Sequence, residues 1–293
     1  MLVYTIGEDC AKLIIRMCDL CTIEVLRHTP DFVPASMLED YPSGSSRLCK
    51  SASRNGYLSL LIWARGKGYR WNALTCTEAA RGGHLEVLKW ARQIAVPACD
   101  WNYQTCVFAA GGGHLEVLKW ARANGCGWSS SVCSYAARGG HLEVLKWARQ
   151  IAVPACEWSS NVCSNAGRRG HFEVLKWAID NGCACNGDVA IEAARGGHLE
   201  ILKWSLDTYC YWDNKICTSA ARGGHLEVLK WSMDRGCGWN SEDICASAAY
   251  GGYLEVLKWA IEYGCHWDDR VYRYASIKGR EDVVEWVKTN LVR

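Results

Sequence analysis

The chain repeats itself, and the period limits what it can fold into. The segment GGHLEVLKWAR returns with little change, its second glycine falling at Gly83, Gly113, Gly140, Gly170, Gly197 and Gly224. GGYLEVLKWA continues the series at Gly252, NGYLSLLIWAR precedes it at Gly56, and KGREDVVEWVK ends it at Gly279. Neighbouring glycines stand 27 to 30 residues apart, so nine units run from about Ser45 to the C-terminus. A fixed period of this length marks a stack of small supersecondary units, none of which can bury its apolar face alone. The 30-residue steps come from one insertion, RQIAVPACDW at 92–101, repeated 57 positions on as RQIAVPACEW at 149–158. That copy points to duplication of a two-unit block.

Each unit predicts two helices. Asn72, Asn102, Ser129, Ser159, Asn186, Asp213, Asn240 and Asp268 open the first, and their side-chain oxygens suit a free first-turn amide. The Gly-Gly pair stops it, glycine being the residue that accepts the left-handed conformation of a helix end. The second helix is HLEVLKWAR, 141–149 in the fourth unit, where Leu142, Val144, Leu145, Trp147 and Ala148 form a wide apolar face. Glu143 and Lys146 lie three apart on its open side, a spacing that brings side chains together. Helices this short are marginal alone and draw their stability from stacked neighbours.

The same register accounts for two unusual residue types. All 16 tryptophans fall in step: nine end the LEVLKW segment, from Trp63 to Trp286, and seven stand in the following loop, with Cys185 in the loop place of the remaining unit. They are expected to pack in the core. Of the 18 cysteines, seven sit in the first helix (Cys49, Cys76, Cys106, Cys133, Cys163, Cys217, Cys245) and seven lie two residues before the loop tryptophan or its replacement. Reduced cysteine is a small buried hydrophobe, so no disulfide framework is expected. A zinc site would have to use Cys10, Cys18 and Cys21, which lack a second pair at suitable spacing. The six histidines that open second helices share one structural place and have no nucleophile set beside them. No metal, no cofactor and no enzymatic activity are expected.

Charge excludes little by sign but much by distribution. Lys and Arg number 33 against 31 Asp and Glu, interspersed along the chain, which gives no basis for nucleic-acid binding. No apolar run approaches a membrane span, and Glu8 and Asp9 stand where a signal peptide would carry its basic leader. An intracellular location, cytoplasmic or nuclear, and a monomer are therefore expected. Residues 1–29, with TIEVLRH at 22–28 echoing HLEVLKW, read as a degenerate capping helix pair, and 30–44 as a linker or irregular turn.

At AAGGGHLEVLKWARANG (109–125) the chain resembles the second half of an ankyrin repeat. It is closest to the short-repeat ankyrin proteins, rich in GHLEVLKWAR and GCxW, abundant in large DNA viruses and some algae and protists. The resemblance implies an all-α, ankyrin-like solenoid over 45–293 that binds proteins and has no catalytic centre. The units are about 27 residues against 33 in ankyrin. The missing residues fall where ankyrins build the β-hairpin finger, so that finger is expected to be short or absent.

Comparison among the units places the binding surface. The second helix is nearly constant. Two residues beyond the first-helix cysteine position the units carry Ser51, Glu78, Phe108, Tyr135, Asn165, Glu192, Ser219, Ser247 and Tyr274. The resemblance puts this helix on the concave side. Phe108 and Tyr135 are expected to anchor a protein partner, with Glu78, Asn165 and Glu192 giving polar selectivity. A second reading makes the chain the substrate-recognition adaptor of a ubiquitin ligase, with a docking segment in residues 1–44.

Overall fold

The computed structural model describes residues 45–159, 161–185, 188–208, 210–236 and 241–290. The capping pair expected over 1–29, the linker over 30–44, and Cys10, Cys18 and Cys21 lie outside them. Among the described residues there are eighteen α-helices and no strand. They form nine consecutive pairs: α1 (Arg47–Arg54) and α2 (Leu58–Gly66), α3 (Ala73–Arg81) and α4 (Leu85–Lys89), α5 (Tyr103–Gly111) and α6 (Leu115–Ala123), α7 (Ser131–Gly139) and α8 (Leu142–Lys146), α9 (Asn161–Arg169) and α10 (Phe172–Asp180). The rest are α11 (Asp188–Gly196) and α12 (Leu199–Thr208), α13 (Lys215–Gly223) and α14 (Leu226–Asp234), α15 (Ser241–Gly251) and α16 (Leu254–Glu262), α17 (Asp269–Ile277) and α18 (Glu281–Asn290). This is the all-α helical repeat architecture, with helices packing on their neighbours in chain order.

The pairs gather into two compact units. One runs to Val132 and takes in Lys146–Cys156; the other holds Cys133–Leu145 and everything from Glu157 onward. In the first unit α1 packs on α3 and α3 on α5. In the second the first helices α9, α11, α13, α15 and α17 pack one on the next. First helices also pack on their own second helices, as α5 does on α6 and α13 on α14.

The caps act at the positions the sequence marks. Asn72 Oδ1 accepts from Leu74 N at 3.1 Å, Asn102 from Gln104 N at 2.9 Å, Asp213 from Lys215 N at 2.8 Å and Asp268 from Arg270 N at 2.9 Å. On the open side Lys89 reaches Glu86 at 2.8 Å and Lys119 reaches Glu116 at 2.7 Å. The insertion departs from expectation. HLEVLKWAR does not stay α-helical where RQIAVPAC follows. From Trp90 to Ile94 and from Trp147 to Ile151 the helix widens, Ala95 N bonding Trp90 O and Ala152 N bonding Trp147 O five residues back. The wider turn accommodates the extra residues, and each copy has a cis Val–Pro bond.

The innermost layer is made of small and branched residues. Leu88, Leu118, Leu145, Leu175, Leu202, Leu229 and Leu257 are fully buried, with the paired alanines of the first helices and most of the cysteines against them. The tryptophans correct the expectation of core packing. Among the described residues most are half-buried, and Trp212 and Trp267 are exposed. The fully buried layer is filled by leucine, alanine and cysteine, and the indoles pair at its margin. Trp71 meets Trp90, Trp101 meets Trp120 and Trp128 meets Trp147, edge to face at 5.7–5.8 Å.

The GGH motif forms the joint between successive pairs. His84 Nε2 lies 2.9 Å from the Arg54 carbonyl, His114 Nε2 3.0 Å from that of Arg81, and His198 Nε2 3.1 Å from that of Arg168. Gly83 shows why glycine is required. Its φ is 78°, the left-handed region, and a Cβ there would stand 2.5 Å from His114 Nδ1. The imidazole occupies the space a side chain would need.

Candidate partner-binding face

The variable first-helix positions are half-buried, with one exception, and several are held by a neighbour. Glu78 places Oε2 3.4 Å from Arg81 Nε and 3.8 Å from Arg54 Nε. Glu192 repeats this in the second unit, with Oε1 2.8 Å from Arg195 Nη1 and Oε2 3.6 Å from Arg168 Nε. The Arg81 guanidinium lies 3.8 Å over the Phe108 ring. Asn165 Nδ2 donates to the Ser134 carbonyl at 3.4 Å. Tyr274 meets Tyr250 edge to face at 6.0 Å. Tyr135 and Ser247 are half-buried. Ser219 is the exception: it is only 4% exposed, and Arg195 Nη2 lies 3.5 Å from its Oγ.

Glu78 and Phe108 are thus brought together through Arg81 in the first unit, and Glu192 and Ser219 through Arg195 in the second. Phe108 belongs to the first unit and Tyr135 to the second. Sequence reasoning passed over the arginines one turn further along, Arg54, Arg81, Arg138, Arg168, Arg195 and Arg222. The signal is present in the sequence as the recurring ARGG.

The repeated histidines and cysteines have structural surroundings. Burial holds His84, His198 and His225 below the ordinary imidazole pKa, so the ring is neutral where it meets the carbonyl. Loop cysteines lie against the backbone carbonyl of the cap residue: Cys99 Sγ is 3.3 Å from Asn72 O and Cys126 Sγ 3.2 Å from Asn102 O. Burial pushes the Cys49 thiol up to about 11. Contact with Cys99 and with Cys126, followed by burial, raises the Cys76 and Cys106 thiols well above the ordinary range. Such thiols are protonated at neutral pH and poor nucleophiles.

One cysteine pair departs from the expected reduced state. Cys163 and Cys185 form a disulfide with Cα atoms 5.7 Å apart, and Cys183 Sγ lies 3.6 Å from Cys163 Sγ. The physical reason is local. Cys185 stands in the loop place held elsewhere by tryptophan, and brings a third sulfur to a site that has two where Cys76 meets Cys99 or Cys106 meets Cys126. Trp204 there meets Phe172 at 5.2 Å instead of a loop indole, and Phe172 stands where seven sister helices begin with leucine. Among the described residues no group of three or more His, Cys, Asp or Glu is arranged to hold a metal ion, and no helix is long and apolar enough to cross a membrane. Compared with protein-family models and with curated proteins, the sequence matches none of them.

Proposed function

We propose that the chain is an ankyrin-type interaction scaffold without catalytic activity, binding protein through the variable face of its first helices. The observation that carries this reading is the division of labour within each pair. The second helices keep one sequence and supply the buried leucines, whereas the first helices present Glu78, Phe108, Tyr135, Asn165, Glu192 and Tyr274 at one register position, all partly accessible. Varied side chains on a constant frame are what recognition needs, and aromatic residues there are strong anchors. The histidines support the absence of catalysis, since each one described above is engaged with a backbone carbonyl of the preceding pair.

The test is affinity capture from the native host with the full chain and with the Phe108→Ala/Tyr135→Ala variant. A captured protein should be lost from the variant while its helical circular dichroism is unchanged. Equal capture by both proteins would remove these two residues from the reading.

A further inference from the structure

We infer that the second unit carries an arginine row that receives an extended acidic peptide, with carboxylates spaced every third residue. The inference rests on the scaffold reading and names the chemistry of its partner. Arg138, Arg168, Arg195 and Arg222 end α7, α9, α11 and α13 at one register position, and Arg169 stands beside Arg168. Arg138, Arg168, Arg169 and Arg222 are exposed. Against these five cations the ion pairs among the described residues offer one carboxylate, Glu192, which divides itself between Arg168 and Arg195.

Part of the row is satisfied as in the first unit: Arg168 and Arg195 share Glu192, and the Arg222 guanidinium lies 4.2 Å over the Tyr250 ring. In the first unit Arg54 and Arg81 both lie against Glu78, and Arg81 also covers Phe108. In the second unit the guanidinium groups of Arg138 and Arg169 make no ion pair or hydrogen bond among the described residues. Between Arg168, Arg169, Gly196 and His198 lies a cleft of about 340 Å³. Its walls are cationic or neutral, since burial keeps His198 uncharged. Guanidinium forks match carboxylates in a planar, two-bond geometry.

The spacing sets the register of the ligand. Packed helices lie about 8–10 Å apart, and an extended peptide rises about 3.3 Å per residue. Three residues of ligand therefore span one step of the row. A segment with Glu at every third position sets one carboxylate against each of Arg138, Arg168, Arg195 and Arg222, while spacings of two or four drift out of step.

The experiment is fluorescence anisotropy of the full chain with labelled peptides carrying four glutamates among Gly and Ser, spaced every second, third or fourth residue. A lysine peptide of the third-residue register and a single-stranded RNA of similar charge complete the set. The third-residue acidic peptide should bind best and weaken with salt. Arg138→Gln, Arg168→Gln and Arg222→Gln should each lower its affinity about two- to fivefold, whereas Arg54→Gln in the first unit should not.

Equal binding of all three acidic spacings, equal binding by the glutamine variants, or tighter binding of the RNA would each overturn the inference. If peptide binding fails while host-protein capture stays sensitive to Phe108→Ala/Tyr135→Ala, the acidic row falls and the scaffold reading stands. Peptide binding in register with insensitive capture keeps the row and removes the Phe108 and Tyr135 anchor.

Discussion

The two units share a frame but hold their loops differently. In the first, the residue two beyond the second-helix tryptophan is arginine: Arg65, Arg92, Arg122 and Arg149. Its Nη1 donates to a loop carbonyl, from Arg65 to Tyr69 at 2.5 Å, Arg92 to Cys99 at 2.5 Å, Arg122 to Cys126 at 2.7 Å and Arg149 to Cys156 at 2.5 Å. For the first three the guanidinium also lies 4.4 Å over the loop indole, that of Trp71, Trp101 or Trp128. In the second unit the same place holds Ile179, Leu206, Met233 and Ile261, with Lys288 in the last pair. Where the side chain is apolar, the loop carbonyl is left to find another donor. The difference teaches that the loops are fastened by two separable devices, indole packing common to both units and an arginine clamp confined to one.

The largest expected effect falls on what the units have in common. Gly83→Ala and Gly197→Ala should each destabilise by about 2 kcal/mol or more, since both force a side chain into left-handed backbone and against the next aromatic ring. Urea denaturation of both variants measures it, and a cost confined to one unit would mean that the joint is not shared. Next comes the clamp itself. Arg122→Met should cost about 1–2 kcal/mol through the lost charged hydrogen bond and ring contact. Conversely, Ile261→Arg should be neutral or gain up to about 1 kcal/mol by reaching over the loop to Trp267. Loss of stability on Ile261→Arg would show that the second unit's loops are shaped for an aliphatic residue.

A smaller effect, about 1 kcal/mol, is expected where the second unit lacks the loop indole. Cys185→Trp alone should crowd Phe172, and Phe172→Leu alone should remove an aromatic pair. Together, with thiols reduced, they should restore the sister arrangement at little cost. A double-mutant cycle reads the coupling, and additive changes would deny that the two substitutions compensate.

The smallest effect per site is the response to acid. His84 in the first unit and His198 and His225 in the second have folded-state pKa values below the ordinary imidazole value of about 6.5. The unfolded chain therefore binds more protons as pH falls below 6.5. Their contribution is full above that pH and is lost progressively as pH falls through the folded-state values. Thermal unfolding between pH 7.5 and 5 should show a decline in both units, reduced by His198→Asn.

What the sequence made legible was whatever depends on period and on one residue's own chemistry. The helix pairs, the caps at Asn72, Asn102, Asp213 and Asp268, and the glycine stops at positions such as Gly83 are all of that kind. The arginine clamp was not legible, because Arg92 lies seven residues from the carbonyl it holds and only the folded loop brings them together. The wide turn at Trp90–Ile94 was hidden for a similar reason, its hydrogen bonds skipping one residue more than the helical pattern assumes. At the candidate face, the register of Glu78, Phe108 and Glu192 was readable. That Arg81 and Arg195 tie those residues across successive pairs, and that Ser219 is covered, required three dimensions.

The histidine joint has one more consequence. It meets the adjoining pair through a main-chain carbonyl and a glycine without side chain, groups that every neighbour with the same motif offers. Recombination that copies a block therefore meets no mismatch at the seam, and the copy is tolerated on arrival. The doubled RQIAVPAC block, 57 residues apart, is the pattern such a duplication predicts. A chain joined in this way lengthens easily, and its outward-facing positions then diverge while the joint stays the same.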